Sequence, residues 1–519
     1  MFHVNHLENK VIYQIYPKSF MDSNGDGVGD LKGIISKLEY LAGLGIDYLW
    51  LSPINQSPQR DNGYDISDYY AIDPRFGTLE DYKLLIHEAA KWNIKIMMDL
   101  VLNHTSTDHA WFQKALAGDA HYQKFYYFSD RPTTATSVFG GSAWNFVPEL
   151  NKYYFCLFDK TQADLNWDNP EVRQEIYKMV NYWIDLGVQG FRLDVIDSIS
   201  KDLNNNIVSR GPRFIEYLSE LSDQTFQDKI LTVGECWNPP LEQMYAMCGE
   251  HGLFQAFHFA DITHNHRPNK WNLDPLSLKT VVEVYEKWQN QYAGAPAWAM
   301  NNHDSPRLLS LWLDDQTYRY ESATLLITLY SMFKGNLYLY QGEEIGMTNA
   351  HQEDINWYND IETLNAYQEM KEQGLSEEEI MQKIMKVSRD NARVSMHWNA
   401  STYAGFSTVK PWLGLAQNHT TVNVANDLAN PQHSIYYYYK SILALRKNFY
   451  PHINTMATFH VDDSILTITY PTHKLYANFS AKATDYTPPL APILISNYEE
   501  NLPHQLQPYQ AIIYQIANG

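Results

Sequence analysis

Four short segments constrain this chain most, because each closes an apolar run with carboxylates or their polar neighbours. They are 99–104 (DLVLNH), 190–195 (GFRLDV), 233–235 (VGE) and 301–304 (NNHD). Apolar runs suited to buried parallel strands fall at 11–16, 47–52, 95–101, 190–195, 230–235, 256–260, 297–302 and 336–341. Helical periodicity fills the gaps at 31–44, 79–92, 172–186, 212–221, 276–289 and 318–333, with a last helix expected at 434–447. Eight strands alternating with helices predict a (β/α)8 barrel rather than an open sheet. In such a barrel the strand ends converge on one rim, so the four segments would share a site there.

Two stretches break the alternation. Residues 104–170, rich in Gly, Trp and Tyr, read as a subdomain inserted after strand 3, and 349–385 as a helical insertion after strand 8. From 449 to 519 the pattern changes to short alternating runs (ATFHV, SILTITY, APILIS), the signature of antiparallel strands. The expected domains are therefore a barrel over 1–103 and 171–448, the inserted subdomain over 104–170 and a C-terminal β domain over 449–519.

The net charge of −21 argues against a nucleic-acid partner, which needs a basic patch. Three cysteines, Cys156, Cys236 and Cys248, form neither a disulfide framework nor a zinc motif. The start MFHVNHLENK lacks a basic region followed by a long apolar one, and no run reaches membrane-span length. A cytoplasmic, monomeric protein acting on a small molecule, with no membrane or nucleic-acid partner, is the expectation.

Three strand-end acids, Asp194, Glu235 and Asp304, suit cleavage of a glycosidic bond, which requires two carboxyl groups across the scissile linkage. Asp194 is the better nucleophile, because Arg192 lies two residues earlier on the same strand face and keeps a carboxylate charged. Glu235, beside Gly234 and near Trp237, is the expected acid, with a raised pKa. Asp304 and His303 would grip sugar hydroxyls. Asp61 in Asp-Asn-Gly reads by itself as a turn residue.

These clusters resemble the four signature regions of the α-amylase superfamily of retaining α-glycosidases. Segments such as YQIYPKSFMDSNGDGVGDLKGI, DNGYDISDYY, QADLNW and YQGEEIGMTN are similar to its oligo-1,6-glucosidase and dextran glucosidase branch. The resemblance implies Asp194 as nucleophile, Glu235 as acid/base and Asp304 as transition-state stabiliser. It also implies that Asp61, Tyr64, His104, Arg192, His303 and Arg393 line the pocket for a non-reducing glucose. Asp61 and Arg393 would pair at a blind end and make the enzyme exo-acting. Val195, after the nucleophile, implies α-1,6 preference, although a β-branched residue is also ordinary strand sequence. Trp237 and Lys270 would lie on the leaving-group side. After Asn391 this chain reads ARVSMHWN where the branch has a pattern like ARTPMQWD, so Val394, Ser395, His397 and Asn399 depart from it.

The leading expectation is thus an exo-acting α-1,6-glucosidase on isomalto-oligosaccharides, with trehalose-6-phosphate hydrolase or α-1,4-glucosidase as alternatives. Asp22, Asn24, Asp26, Val28 and Asp30 place oxygen ligands at alternate positions among glycines, so a structural Ca²⁺ is expected there. A metal-free Gly/Asp turn is the competing reading. No organic cofactor is implied.

Overall fold

The computed structural model describes residues 5–226 and 229–516. Eight parallel strands make one sheet: β1 (Val11–Ile15), β2 (Tyr48–Leu51), β3 (Lys95–Val101), β4 (Gly190–Asp194), β5 (Leu231–Gly234), β6 (Gln255–Ala256), β7 (Ala297–Ala299) and β8 (Asn336–Tyr340). Their order, β6-β5-β4-β3-β2-β1-β8-β7, follows the chain around a ring, which is the (β/α)8 arrangement. The chain divides into two compact units, one built on Tyr48–His258 and the other on Leu7–Asp47 with the chain from Phe259 onward.

In the first unit β4 is buried along its whole length, as a parallel strand covered on both faces must be. It pairs with β3 and β5 in a register that sets Arg192 opposite Asp99 on one side and Val233 on the other. Local signals explain the flanking helices. Leu79–Lys91 starts in a Thr78/Asp81 capping box, and Pro170–Asp185 has Asn169 as N-cap and Pro170 in its first turn. Gly234 is required by close approach: a Cβ there would lie 2.6 Å from Leu253 Cδ1 and 2.9 Å from Ile196 Cγ2. The segment after β3 holds the helices Ala110–Leu116 and Ala120–Gln123 and a small antiparallel sheet joining Phe128–Ser129, Lys152–Phe155 and Trp144–Val147.

In the second unit β8 is buried between β1 and β7. The insertion after β8 folds into helices Ile361–Glu372 and Glu377–Val387, the latter opened by a Ser376/Glu379 capping box. Beyond the long helix Ile435–Ile453, five antiparallel strands form the C-terminal sheet: β9 (Thr458–Asp462), β10 (Ile465–Thr469), β11 (His473–Asn478), β12 (Ile493–Ser496) and β13 (Ala511–Gln515).

Several elements differ from expectation. The predicted helix over 31–44 is two, Leu31–Ile35 and Leu38–Leu44, and Asp30 caps the first by accepting from the Gly33 N–H. The helix over 276–289 is Leu278–Glu286 followed by a π turn over Lys287–Gln291. The sixth strand shrinks to two residues. Among the described residues no helix is long and apolar enough to cross a membrane.

Candidate active site

The ends of β3, β4 and β5 deliver Asp99, Asp194 and Glu235 to one buried guanidinium. Arg192 Nη1 donates to Asp99 Oδ1 (2.9 Å) and Asp194 Oδ1 (2.7 Å), and Nη2 donates to Glu235 Oε2 (2.5 Å). The Arg192 side chain is 3% exposed. Asp99 also accepts from the Trp50 indole (3.2 Å) and the Tyr64 hydroxyl (3.1 Å). Glu235 accepts from the Val195 backbone N–H (3.1 Å) and the Trp237 indole (3.0 Å).

This arrangement corrects the electrostatic expectation for Asp194. Burial first, then the neighbouring Glu235 and Asp99, push its carboxyl well above the usual carboxylate range, although Arg192 pulls the other way. One guanidinium faces three carboxyls, and its single positive charge cannot offset all three.

Val195 is a further difference. The expected last strand residue lies instead in the left-handed region, with φ 36° and ψ 44°, a strained conformation for a β-branched side chain. That turn aims its N–H at Glu235. Trp237, 41% exposed, lies beside the same carboxyl. Cys236 is buried against the Met247 sulfur (3.7 Å), and burial pushes its thiol up, so it is an inert core thiol. Cys156 and Cys248 are also buried and free.

Behind Tyr64 sits a second polar group. His104 Nε2–H donates to the Tyr64 carbonyl (3.1 Å), and burial lowers its pKa, which keeps the ring neutral. Gln162, which sequence reasoning missed, donates to Asp61 Oδ2 (2.8 Å). Asn103 Nδ2 donates to His104 Nδ1 (3.1 Å), and the fully buried Lys201 ammonium binds Asn103 Oδ1 (2.6 Å), Asp164 (2.9 Å) and the Ser198 carbonyl.

The second unit carries Asp304 and its own cations. Arg393 Nη2 donates to Asp304 Oδ1 (2.8 Å) and its Nε to the His303 carbonyl (2.8 Å). Arg389, also missed from the sequence, donates to the same Asp304 oxygen (3.1 Å) and twice to Asp360. His303 Nε2 lies 3.0 Å from Asp304 Oδ2, and its Nδ1 is 2.9 Å from the Gln14 amide. Against the cost of burial, His303, Arg389 and Arg393 hold the Asp304 carboxyl well below the usual range. The partners found for Asp61 and Arg393 are thus Gln162 and Asp304. Lys270 forms a 2.5 Å ion pair with Glu362 at the start of the first insertion helix. His397, one of the departures in ARVSMHWN, donates from Nδ1 to the Val422 carbonyl (2.9 Å), and burial pushes it down to about 3.

The 22–30 loop is wound by its own side chains. Asp22 accepts from the N–H groups of Asn24, Gly25 and Gly27 and from the Ser407 hydroxyl. Asn24 Oδ1 accepts from Asp26, Asp26 Oδ1 from Val28, and Asp30 from Ser23 and Gly33. Gly27, at φ 90°, approaches the chain so closely that a Cβ would lie 2.5 Å from the Lys410 carbonyl. Asn24, Asp26 and Asp30 keep acceptor capacity for a hard cation. All four lone-pair directions of Asp22 are already engaged.

Comparison with known proteins gives the family. The alpha-amylase catalytic-domain family matches residues 14–454. A glucan 1,6-alpha-glucosidase of Streptococcus pneumoniae is 47% identical, covering 85% of this chain and 84% of its own. An oligo-1,6-glucosidase of Bacillus cereus is 41% identical across 98% of this chain and 99% of that one. The solved structure of a trehalose-6-phosphate hydrolase from Bacillus licheniformis superposes with a TM-score of 0.94 at 39% identity, covering 99% of this chain and all of that one.

Proposed function

Because the chain belongs to the α-amylase family and is a glycoside hydrolase, we propose that it is a retaining, exo-acting α-glucosidase with Asp194, Glu235 and Asp304 as its working carboxyls. One observation carries this reading: Asp194 and Glu235 accept from adjacent nitrogens of the Arg192 guanidinium at 2.7 and 2.5 Å. Both carboxyls thus sit on one side chain, close enough to admit the retaining separation of about 5–5.5 Å.

In the proposed reaction Asp194 attacks the anomeric carbon while Glu235 transfers its proton to the departing glycosidic oxygen. A glucosyl ester on Asp194 results. Glu235, now a carboxylate, takes a proton from water, whose oxygen displaces Asp194 and yields glucose with net retention. Asp304, held ionised by His303 and two arginines, binds sugar hydroxyls and strengthens that hold as the ring flattens. Asp61, Tyr64, His104, Gln162, Arg389 and Arg393 are assigned to the glucose being released, Trp237 and Lys270 to its leaving group. A structural Ca²⁺ is proposed on the 22–30 loop. Its role is to brace the turn.

The leaving group has two readings. Likeness to the trehalose-6-phosphate hydrolase spans 99% of this chain and supports a phosphorylated disaccharide more strongly. The identity to 1,6-glucosidases, with Val195 after the nucleophile, supports isomalto-oligosaccharides. Measuring kcat/KM on trehalose-6-phosphate, isomaltotriose and maltotriose side by side decides among these, maltotriose representing α-1,4 cleavage. For the mechanism, Asp194→Gly should be inactive, and azide should restore turnover with β-glucosyl azide as product. Full activity of Asp194→Asn would refute the nucleophile assignment.

A further inference from the structure

Outside the catalytic cluster, the first unit carries a surface groove of about 460 Å³ between the inserted helices and one face of Pro170–Asp185. Its volume lies within the range of about 300–1,000 Å³ typical of ligand sites. One wall is aromatic: Trp111, Tyr122 and Phe125, with Trp111 and Phe125 edge-to-face at 5.3 Å and Tyr122 and Phe125 tilted at 5.2 Å. The opposite wall is polar, with Glu171, Gln174 and Glu175 spaced to share one helix face. Among the described residues, neither the Trp111 indole N–H nor the Gln174 amide has a hydrogen-bond partner.

We propose that this groove is a second carbohydrate site, separate from the catalytic one, that holds a stretch of α-linked glucan. The chemistry selects that ligand class. Each rigid aromatic ring offers an apolar face, which suits the C–H face of a pyranose. Carboxylates, a primary amide and an indole N–H suit its hydroxyl edge, since vicinal hydroxyls both donate and accept. Glu171 and Glu175 are offset by Lys178 on that wall and by Lys114 over the Tyr122 ring at 4.5 Å, so no net positive charge selects an anion such as a sugar phosphate. The Glu175–Lys178 ion pair at 2.7 Å leaves the wall polar throughout, which disfavours a purely apolar guest. The proposal rests on the α-glucosidase reading for the identity of the sugar.

The test is native electrophoresis in gels cast with dextran or with soluble starch, the catalytic pocket being saturated with the iminosugar 1-deoxynojirimycin. Retardation of the wild type in one of the two gels is expected to survive the inhibitor. Tyr122→Ala and Gln174→Ala, both at the surface, should each weaken polysaccharide binding, the aromatic change by about tenfold. Hydrolysis of p-nitrophenyl α-glucoside should stay within roughly twofold of wild type, because the groove and the chemistry are independent. Retardation that the inhibitor abolishes, or no retardation of wild type in either gel, overturns the proposal. So does unchanged migration of both variants. Failure of wild type to cleave the aryl glucoside would instead refute the α-glucosidase reading.

Discussion

Replacing Arg192 by Met tests the electrostatic logic of the site directly. Met fills much of the same volume without charge, so the change isolates the guanidinium that binds Asp99, Asp194 and Glu235. Removing one partner of a buried ion pair costs about 3–5 kcal/mol. With 519 residues unfolding at about 2.1 cal/mol/K each, the entropy of unfolding is roughly 1.1 kcal/mol/K, so Tm should fall by about 3–5 °C near neutral pH. The pH dependence gives the sharper result. Asp194 already has a raised carboxyl in the folded state, and without Arg192 it rises further. A group whose folded pKa exceeds its unfolded value of about 3.9 contributes stability at low pH and loses it as pH rises through the folded value. The Tm gap between wild type and variant should therefore be smallest in acid and widen as pH rises above the ordinary carboxylate range. Differential scanning calorimetry as a function of pH measures it, and kcat should fall by about 10³-fold at every pH. A gap that does not change with pH, or a variant that turns over normally, would show that Arg192 does not neutralise the cluster.

Three other outcomes follow from the geometry. Calcium at about 100 times its Kd should stabilise the fold by about 2.7 kcal/mol, a Tm rise of about 2–3 °C, and Asp26→Ala should abolish that rise in a thermal-shift titration. Val195→Gly keeps the N–H that binds Glu235 but relieves a left-handed β-branched residue, so Tm should rise by about 1 °C. A Tm drop of several degrees would refute the strain argument. Arg389→Leu removes one of two guanidinium groups on Asp304 and should cut kcat by about 10–100-fold. Because the Asp304 carboxyl is depressed, its stabilisation is present above the ordinary carboxylate value and fades as pH falls through the folded one. The Arg389→Leu deficit should accordingly shrink in acid, and melting at pH 7 and pH 3 checks this.

What the sequence made legible was what regular backbone delivers. Apolar runs ending at Asp194, Gly234 and Asn301 announce strands, and a strand puts residues two apart on one face, so the Arg192–Asp194 contact follows from spacing alone. Gly234 was readable for the same reason, since the barrel leaves no room for its Cβ. The left-handed turn at Val195 was hidden, because a β-branched residue after a strand reads as more strand. Gln162 beside Asp61, and Arg389 beside Asp304, were hidden for a different reason: they lie on inserted segments, where no periodicity says which side chain turns inward. A weak signal for Arg389 did exist. It stands four residues before Arg393, and both guanidinium groups bind one oxygen of Asp304. Asp360 and Glu362 sharpen the point. In the sequence they are helix-start acids and nothing more, and Asp360 does cap Ile361–Glu372 by accepting from Thr363. The fold gives the other oxygen of Asp360 to Arg389, so the cap that starts the insertion also orients the cation on Asp304. The helical insertion after β8 is therefore part of the machinery that holds Asp304 ionised.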